Sequence, residues 1–425
     1  FHIKIYFSEN NINYYNHNLL IELICKIKMK KKFILLLLFI VCYNIHLYSQ
    51  KDTLKSILSD IDIQIESTNA INKMYNFNFD EAEKEFTWLI DEYKNHPLPI
   101  FLLGLSKWWR IEAEENQGIE SEGEAKQKNN LDNQFLLLMD ESILLSKKIY
   151  EDGNKIDGAF FLAASYGFKG RLLSERKNWR KAAFSGKNAL KYLKEIRKED
   201  YLIPEIAFGN GLFNYYSIWI SDKYPILKPI VSFFPKGNKI RGIEQLDNAA
   251  KNSFYTRTEA QYFLMRIFSE ENKLSKALQI SNYLHNTYPM NSIFHRYYTQ
   301  LLYRSGYFDE CEIQLNELLK NYSNSILGYN LNVVRNAHFF KAEIERKKLN
   351  IESAKENYLK SIEYSIQMKN QRLGYTLYSY YYLGKLEYDN RNFKTSKQYF
   401  KRVIRLSKRK EKINIDSRNY LSKIK

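Results

Sequence analysis

Two stretches, LMRIFSEENKLSKALQISNYL (residues 264–284) and YTQLLYRSGYFDECEIQLNEL (residues 298–318), align at a stride of 34 residues. Leu264 stands against Tyr298, Phe268 against Leu302, Ala277 against Cys311 and Leu284 against Leu318. A period of this length reads as one helix-turn-helix unit per repeat, each unit burying its apolar face on the next. The expected class is therefore all-α, an α-solenoid of stacked helix pairs, and a chain of this kind works by binding.

The pattern continues toward the C-terminus. Taking the small residues Ala277 and Cys311 as position 20 of the unit, FFKAEIERKKLNIESAKENYLKSI (339–362) places Ala342, Ala354 and Tyr358 at positions 8, 20 and 24. YSYYYLGKLEYDNRNFKTSKQYFKRVI (378–404) repeats this with Gly384, Ser396 and Phe400, adding Tyr380 and Leu383 at positions 4 and 7. Two helices cross closely only where side chains are small, and a large residue such as Phe400 then fills the space toward the neighbouring helix, worth roughly 1.5–3 kcal/mol when buried. The step from Ala354 to Ser396 is 42 residues, so longer helices are expected around residues 361–375. In the N-terminal half the pattern is looser. Ala82 and Phe86 keep the four-residue spacing before Pro97, and Gly170, Ala182 and Ala189 suit positions 8, 20 and 27 around a turn at Asn178 and Trp179. The polar run over residues 112–130 reads as an exposed loop or a helix extension. Pro204, Pro225, Pro229 and Pro235 crowd a middle segment where a regular helix cannot run through, between helix candidates at 204–220 and 239–251.

The first methionine is Met29, followed by three lysines and an apolar run from Phe33 to Cys42. This reads as a secretory signal peptide over 29–49, cleaved after Ser49, with 1–28 as upstream sequence or a long basic region. The run is about half the ~20 residues a spanning helix needs. Val41 is large for the residue preceding a lipidated Cys42. The expected organisation is an N-terminal repeat block over 50–200, an irregular connection over 201–255 and a C-terminal block over 256–425. Cys25 and Cys42 leave with the signal segment, so Cys311 stands alone and an intrachain disulfide is excluded from the mature chain. It reads as a small buried residue.

Of the formal charge of +17 on 425 residues, +11 falls within residues 391–425 and the body over 51–390 is nearly neutral at +2. On a helical wheel Lys394, Lys397, Lys401, Arg405, Lys408 and Lys412 share one face, opposite Ser396, Phe400, Val403 and Ser407. That stripe is a solvated cap for the last repeat or a docking strip for an anionic membrane surface or acidic protein. Nucleic acid is not an expected partner of an exported chain. The stretch SIWISDKYPILKPIVSFFPKG (217–237) reads as core between the blocks, or as an interfacial element anchored by Trp219, Ile226, Ile230, Phe233 and Phe234. In TLYSYYYLGKLEY (376–388) most aromatics take packing positions, and Tyr378 and Tyr381 are left to line a groove.

No catalytic, cofactor or metal site is expected. HExxH, paired CxxC and GxSxG motifs are absent. His96, His285, His295 and His338 read as helix-surface residues, the ten-residue spacing of His285 and His295 giving no metal fork. The glycines of GNG (209–211) lack the strand that a phosphate loop needs, so they read as helix packing.

Over residues 65–410 the chain resembles the tetratricopeptide repeat (TPR) superfamily. Its middle, through Gly209, Gly211, the proline-rich connection and GIEQLDNAA from Gly242, also resembles the branch of fungal inclusion-body clearance proteins and their animal relatives. The resemblance implies a right-handed superhelix whose concave face, lined by the first helix of each pair, holds a partner segment. The Lys, Arg and Asn clamp by which some members grip a C-terminal carboxylate does not map onto this sequence. The expected function is a non-enzymatic protein-interaction scaffold in the periplasm or outer envelope of a bacterium. The alternative is a peripheral membrane protein docked through its basic end.

Overall fold

The computed structural model describes residues 56–115, 122–200, 202–223, 225, 235–372 and 374–424. The expected signal segment, the residues before it, Cys25, Cys42, Pro229, Ile226, Ile230, Phe233 and Phe234 lie outside the described residues. Seventeen α-helices and no strand occur among the described residues. They fall into eight antiparallel pairs and a terminal helix. The first four pairs are α1 (Ile61–Tyr75) with α2 (Phe79–Glu92), α3 (Pro97–Glu114) with α4 (Glu122–Glu151), α5 (Lys155–Glu175) with α6 (Trp179–Ile196), and α7 (Pro204–Lys223) with α8 (Lys239–Asn252). Then come α9 (Arg257–Glu270) with α10 (Leu274–Thr287), α11 (Ser292–Ser305) with α12 (Phe308–Ser323), α13 (Leu331–Lys347) with α14 (Ile351–Gln367), and α15 (Gly374–Asp389) with α16 (Phe393–Leu406). Helix α17 (Lys412–Lys423) closes the array. Each helix packs on its sequence neighbours, and the first helices of successive pairs also touch, which makes the chain an all-α solenoid.

Six of the eight pairs share one turn. Position 15 is left-handed at Phe77, Lys177, Asn272, Gly306, Leu349 and Arg391, with φ between 57° and 85°. The following N–H closes on the carbonyl five residues back, as from Asn78 to Lys73 (2.9 Å), Lys273 to Phe268 (2.8 Å) and Asn392 to Glu387 (2.8 Å). This is the Schellman closure that satisfies the last carbonyls of a helix. Two residues after the left-handed one, the second helix opens at Phe79, Trp179, Leu274, Phe308, Ile351 and Phe393.

The small positions sit where the helices cross. Ala82, Phe86, Ala277, Cys311, Ala342, Ala354, Tyr358, Ser396 and Phe400 are fully buried. Ser396 Oγ donates to the Gly384 carbonyl at 2.8 Å, and Cys311 Sγ to that of Thr299 at 3.4 Å, the same position-20-to-8 contact in two repeats. Burial pushes the Cys311 thiol up to about 12, so it behaves as a small core residue. A side chain at Gly384 would meet the Phe400 ring at 2.9 Å. Gly170 lies against Ala182 and Ser185. Ala182 itself is only half-buried, because α6 stands at the rim with Trp179 and Phe184 exposed. The 42-residue step is distributed as longer helices: α14 ends three residues later in its repeat than α10, and α15 starts three earlier than α11.

In its described residues the polar run over 112–130 takes the helix-extension reading, since α3 reaches Glu114 and α4 begins at Glu122; its Glu, Ala, Lys and Gln are strong helix formers. One expectation needs correction. The basic stripe is not one helix face. Helix α16 stops at Leu406, with Ser407 in an extended cap, so Lys408 lies in the following loop and Lys412 starts α17.

The first helices also meet later ones across large sequence separations. Trp109 on α3 packs edge-to-face on Tyr262 of α9 and Phe294 of α11, with ring centroids 5.6 Å apart in both cases. Asn291 Nδ2 donates to the Tyr75 carbonyl at 2.8 Å, and Asn330 Nδ2 to that of Glu115 at 3.3 Å. The inner side of the first six pairs is thus closed by contact of α1 and α3 with α9 and α11. No helix among the described residues is long and apolar enough to cross a membrane.

Candidate functional site

The closure leaves a pocket of about 340 Å³ among the first helices of four successive pairs, α3, α5, α7 and α9, with Leu190 and Leu193 of α6 along one side. Its wall is built from Phe101, Phe161, Phe168, Phe208 and Phe263. It is kept open because α6 is set back from α7, and the small Ala163, Ala164 and Gly167 occupy its α5 wall. Gly167 is exposed, and a side chain built there would meet nothing within 4 Å. The volume lies at the lower end of the range for ligand pockets, and an apolar lining with a few convergent polar groups is what such sites use.

Those polar groups are Glu205, Glu259, Thr256 and Arg171. Glu259 is fully buried, and its Oε1 accepts from Trp109 Nε1 at 2.7 Å and Tyr75 Oη at 3.4 Å. Burial pushes its carboxyl up to about 7, against the opposing pull of Arg171 and the Trp109 hydrogen bond. Glu259 Oε2 and Thr256 Oγ1 have no hydrogen-bond partner. The half-buried Arg171 donates to Glu112 at 3.1 Å and Glu175 at 3.2 Å and lies 4.2 Å over the Trp108 ring. Glu205 receives the backbone N–H groups of Phe254 (2.6 Å) and Tyr255 (3.2 Å), fixing the link between α8 and α9 that carries Thr256. Burial raises its carboxyl too. The pocket therefore offers an apolar wall and spare oxygen acceptors, with its one guanidinium already paired.

The residues singled out in the sequence lie elsewhere. Tyr381 packs on Phe400 and Tyr420 beneath α17, while Tyr378 is exposed and stacks on Tyr382. Of the stripe, Lys394, Lys401, Arg405, Lys408 and Lys412 are exposed and Lys397 is half-buried; Lys394, Lys397 and Lys401 border a shallow depression with Phe393 and Ile424. Trp219 is partly buried against Tyr216 and donates to Glu270 at 2.8 Å. The expectation of helix-surface histidines is wrong for three of the four. His285, His295 and His338 are buried among aromatic rings, the first two against each other between successive pairs and His338 against Asn357 and Tyr364 of its own pair, and only His96 is partly exposed. Burial holds His285 and His338 below the usual histidine range and takes His295 to about 3.

No protein-family model matches the chain, and no curated protein does. Among solved structures, the human IFIT1 dimer with PPP-AAAA is similar over 78% of this chain and 69% of its own, with 12% identity and a TM-score of 0.39. Yeast Tom70 is similar over 85% of this chain and 89% of its own, with 10% identity and a TM-score of 0.35. The TPR domain of P58(IPK) is similar over 85% and 99%, with 11% identity and a TM-score of 0.23. The assignment to an all-α repeat solenoid rests on the turns and crossings of the chain itself.

Proposed function

We propose that the chain is a non-enzymatic interaction scaffold of TPR type that holds an apolar segment of a protein partner in the pocket between α3, α5, α7 and α9. The observation carrying this reading is the 340 Å³ apolar cavity with unpartnered oxygens at Glu259 and Thr256. A partner's aliphatic or aromatic side chain fills the wall, and a donor on the same segment meets those oxygens. Buried unsatisfied acceptors cost about 1–3 kcal/mol each, which an occupant relieves. Export to the periplasm or outer envelope belongs to the same proposal, supported by the lysines and short apolar run over residues 30–42. Kinship with the inclusion-body clearance branch belongs to it as well, supported by the sequence resemblance through Gly209, Gly211 and GIEQLDNAA from Gly242.

Gly167→Trp tests the pocket. The added Cβ meets nothing within 4 Å, so the helix has room for a side chain there, and the melting temperature should stay within a few degrees of wild type. Crosslinking of the tagged chain in its own envelope fraction should recover a partner crosslinked near α5 and α7, reduced at least tenfold in the variant. Equal recovery by both chains would remove the pocket as the binding site.

A second reading, docking on an anionic membrane surface, is favoured by the exposed cations on α16. Sedimentation with anionic vesicles should then weaken steeply once salt shortens the Debye length below ~8 Å. It should be lost when Lys394, Lys397, Lys401 and Arg405 are changed to Gln. Binding indifferent to salt or to these changes counts against it.

A further inference from the structure

We propose that His285, His295 and Glu317 form a divalent transition-metal site of the zinc class, linking three consecutive helices. His285 lies in the last turn of α10, His295 in the first turn of α11, and Glu317 on α12. One ligand atom from each lies within 4.8 Å of the other two. The two imidazoles are stacked, with centroids 4.5 Å apart and planes inclined by 24°.

His285 Nδ1, His295 Nε2 and Gln314 Oε1 are buried and make no well-aligned hydrogen bond, their only polar company being one another. Gln314 stands one turn before Glu317 on α12, and its side chain lies beside both rings. Poorly satisfied buried polar atoms are uncommon, and a cation that takes the ring lone pairs would replace the weak pairing with the Gln314 amide. The outer contact is already in place. His295 Nδ1 pairs with Tyr329 Oη at 3.0 Å, and with Nδ1 as the donor the Nε2 lone pair faces the cluster. Such a second partner orients metal-bound histidines and is part of the site.

Two imidazoles and one carboxylate form an N/O donor set suited to zinc, with a fourth position for water or Gln314 Oε1. Tetrahedral ligands with bonds near 2.0–2.2 Å stand about 3.4 Å apart. The present spacing therefore closes by an inward movement of the ligands, and the two stacked rings turn so that the ion lies in both ring planes. The exposure of Glu317 provides the route of entry. The site is invisible in the sequence because the nine residues between the histidines cross a turn and the carboxylate arrives from the next repeat.

The test is titration of the full chain with Zn²⁺ alone, in competition with a chromogenic chelator. One ion per chain is expected, with affinity at least tenfold weaker in Glu317→Gln and at least a hundredfold weaker in His285→Ala. Co²⁺ should give the visible absorption of a four-coordinate site, and Zn²⁺ but not Mg²⁺ should raise the melting temperature. Glu317 is exposed, so Glu317→Gln folds even if His285→Ala does not. A folded wild-type chain that binds no stoichiometric zinc overturns the proposal. So does zinc binding that survives Glu317→Gln unchanged, which would place the ion on other histidines.

Discussion

Changing Gly242 to alanine is expected to destabilise the chain by about 3 kcal/mol, the upper part of the usual range for overpacking. Helices α7 and α8 touch backbone to backbone at this point. A Cβ on Gly242 would stand 2.7 Å from the Tyr215 nitrogen and 2.9 Å from the Gly211 carbonyl oxygen. The reciprocal change at Gly211 meets the Gly242 carbonyl at 2.9 Å and the Leu246 nitrogen at 3.0 Å. Neither neighbour can rotate away, because both are main chain, so the helices must separate. Separation would pull Leu246, which is fully buried, out of contact. It would also shift Phe208 and Glu205 at the pocket wall, so occupancy of the pocket should fall with stability. Gly186 on α6 supplies the control: nothing lies within 4 Å of its added Cβ, and Gly186→Ala should stabilise by roughly 0.5–1 kcal/mol through helix propensity. Urea denaturation of the two variants beside the wild-type chain measures both signs. A Gly242→Ala chain as stable as wild type would mean that α7 and α8 do not cross at these glycines.

The stride of 34 residues carried the repeat architecture because each crossing needs a small residue at a fixed place, and Ala277, Cys311, Ala354 and Ser396 satisfy that need locally. A further local signal lies in the sequence: an apolar residue two positions after the left-handed one, from Phe79 through Phe393, marks where six of the eight second helices begin. Contacts between distant repeats leave no such mark. Tyr75 and Glu259 are separated by 184 residues and Trp109 and Glu259 by 150. Nothing in the period links them, so the closed interior and its pocket were not legible. Glu259 looks like a solvent-facing acid in the first turn of a helix, and only the approach of α1 and α3 buries it. The histidines failed for the same reason, since a helical wheel says nothing across a turn. The basic stripe failed differently. A helical wheel describes residues of one helix, and the chain leaves the helix after Leu406.

Glu259→Gln should abolish a pH dependence of stability that the wild-type chain carries. The carboxyl sits at about 7 in the folded chain against 4.5 when exposed, so between these values the folded state holds a proton that the unfolded state has released. Stability from this group is present in full below pH 4.5 and is lost as pH rises through 7. A shift of this size corresponds to on the order of 3 kcal/mol. The groups facing the carboxyl are Arg171 on α5, Glu112 on α3 and Tyr75 on α1, besides the Trp109 indole, and Arg171 alone among them favours the charged form strongly. Other titrations run the opposite way: His285, His295 and His338 are held neutral by burial, so they oppose folding as pH falls through the ordinary histidine range. Subtracting the variant's unfolding free energy from the wild type's at each pH cancels them. The difference should be about 3 kcal/mol larger at pH 4.5 than at pH 8, whatever offset the unpaired amide of glutamine adds at both. A flat difference would mean that water reaches the carboxylate. The same proton governs the pocket. Above pH 7 an apolar occupant must share its cavity with a carboxylate charge that desolvation makes costly, unless it brings a donor to Oε2. An occupant with no donor should therefore bind more weakly at pH 8 than at pH 6, and Glu259→Gln should level the two.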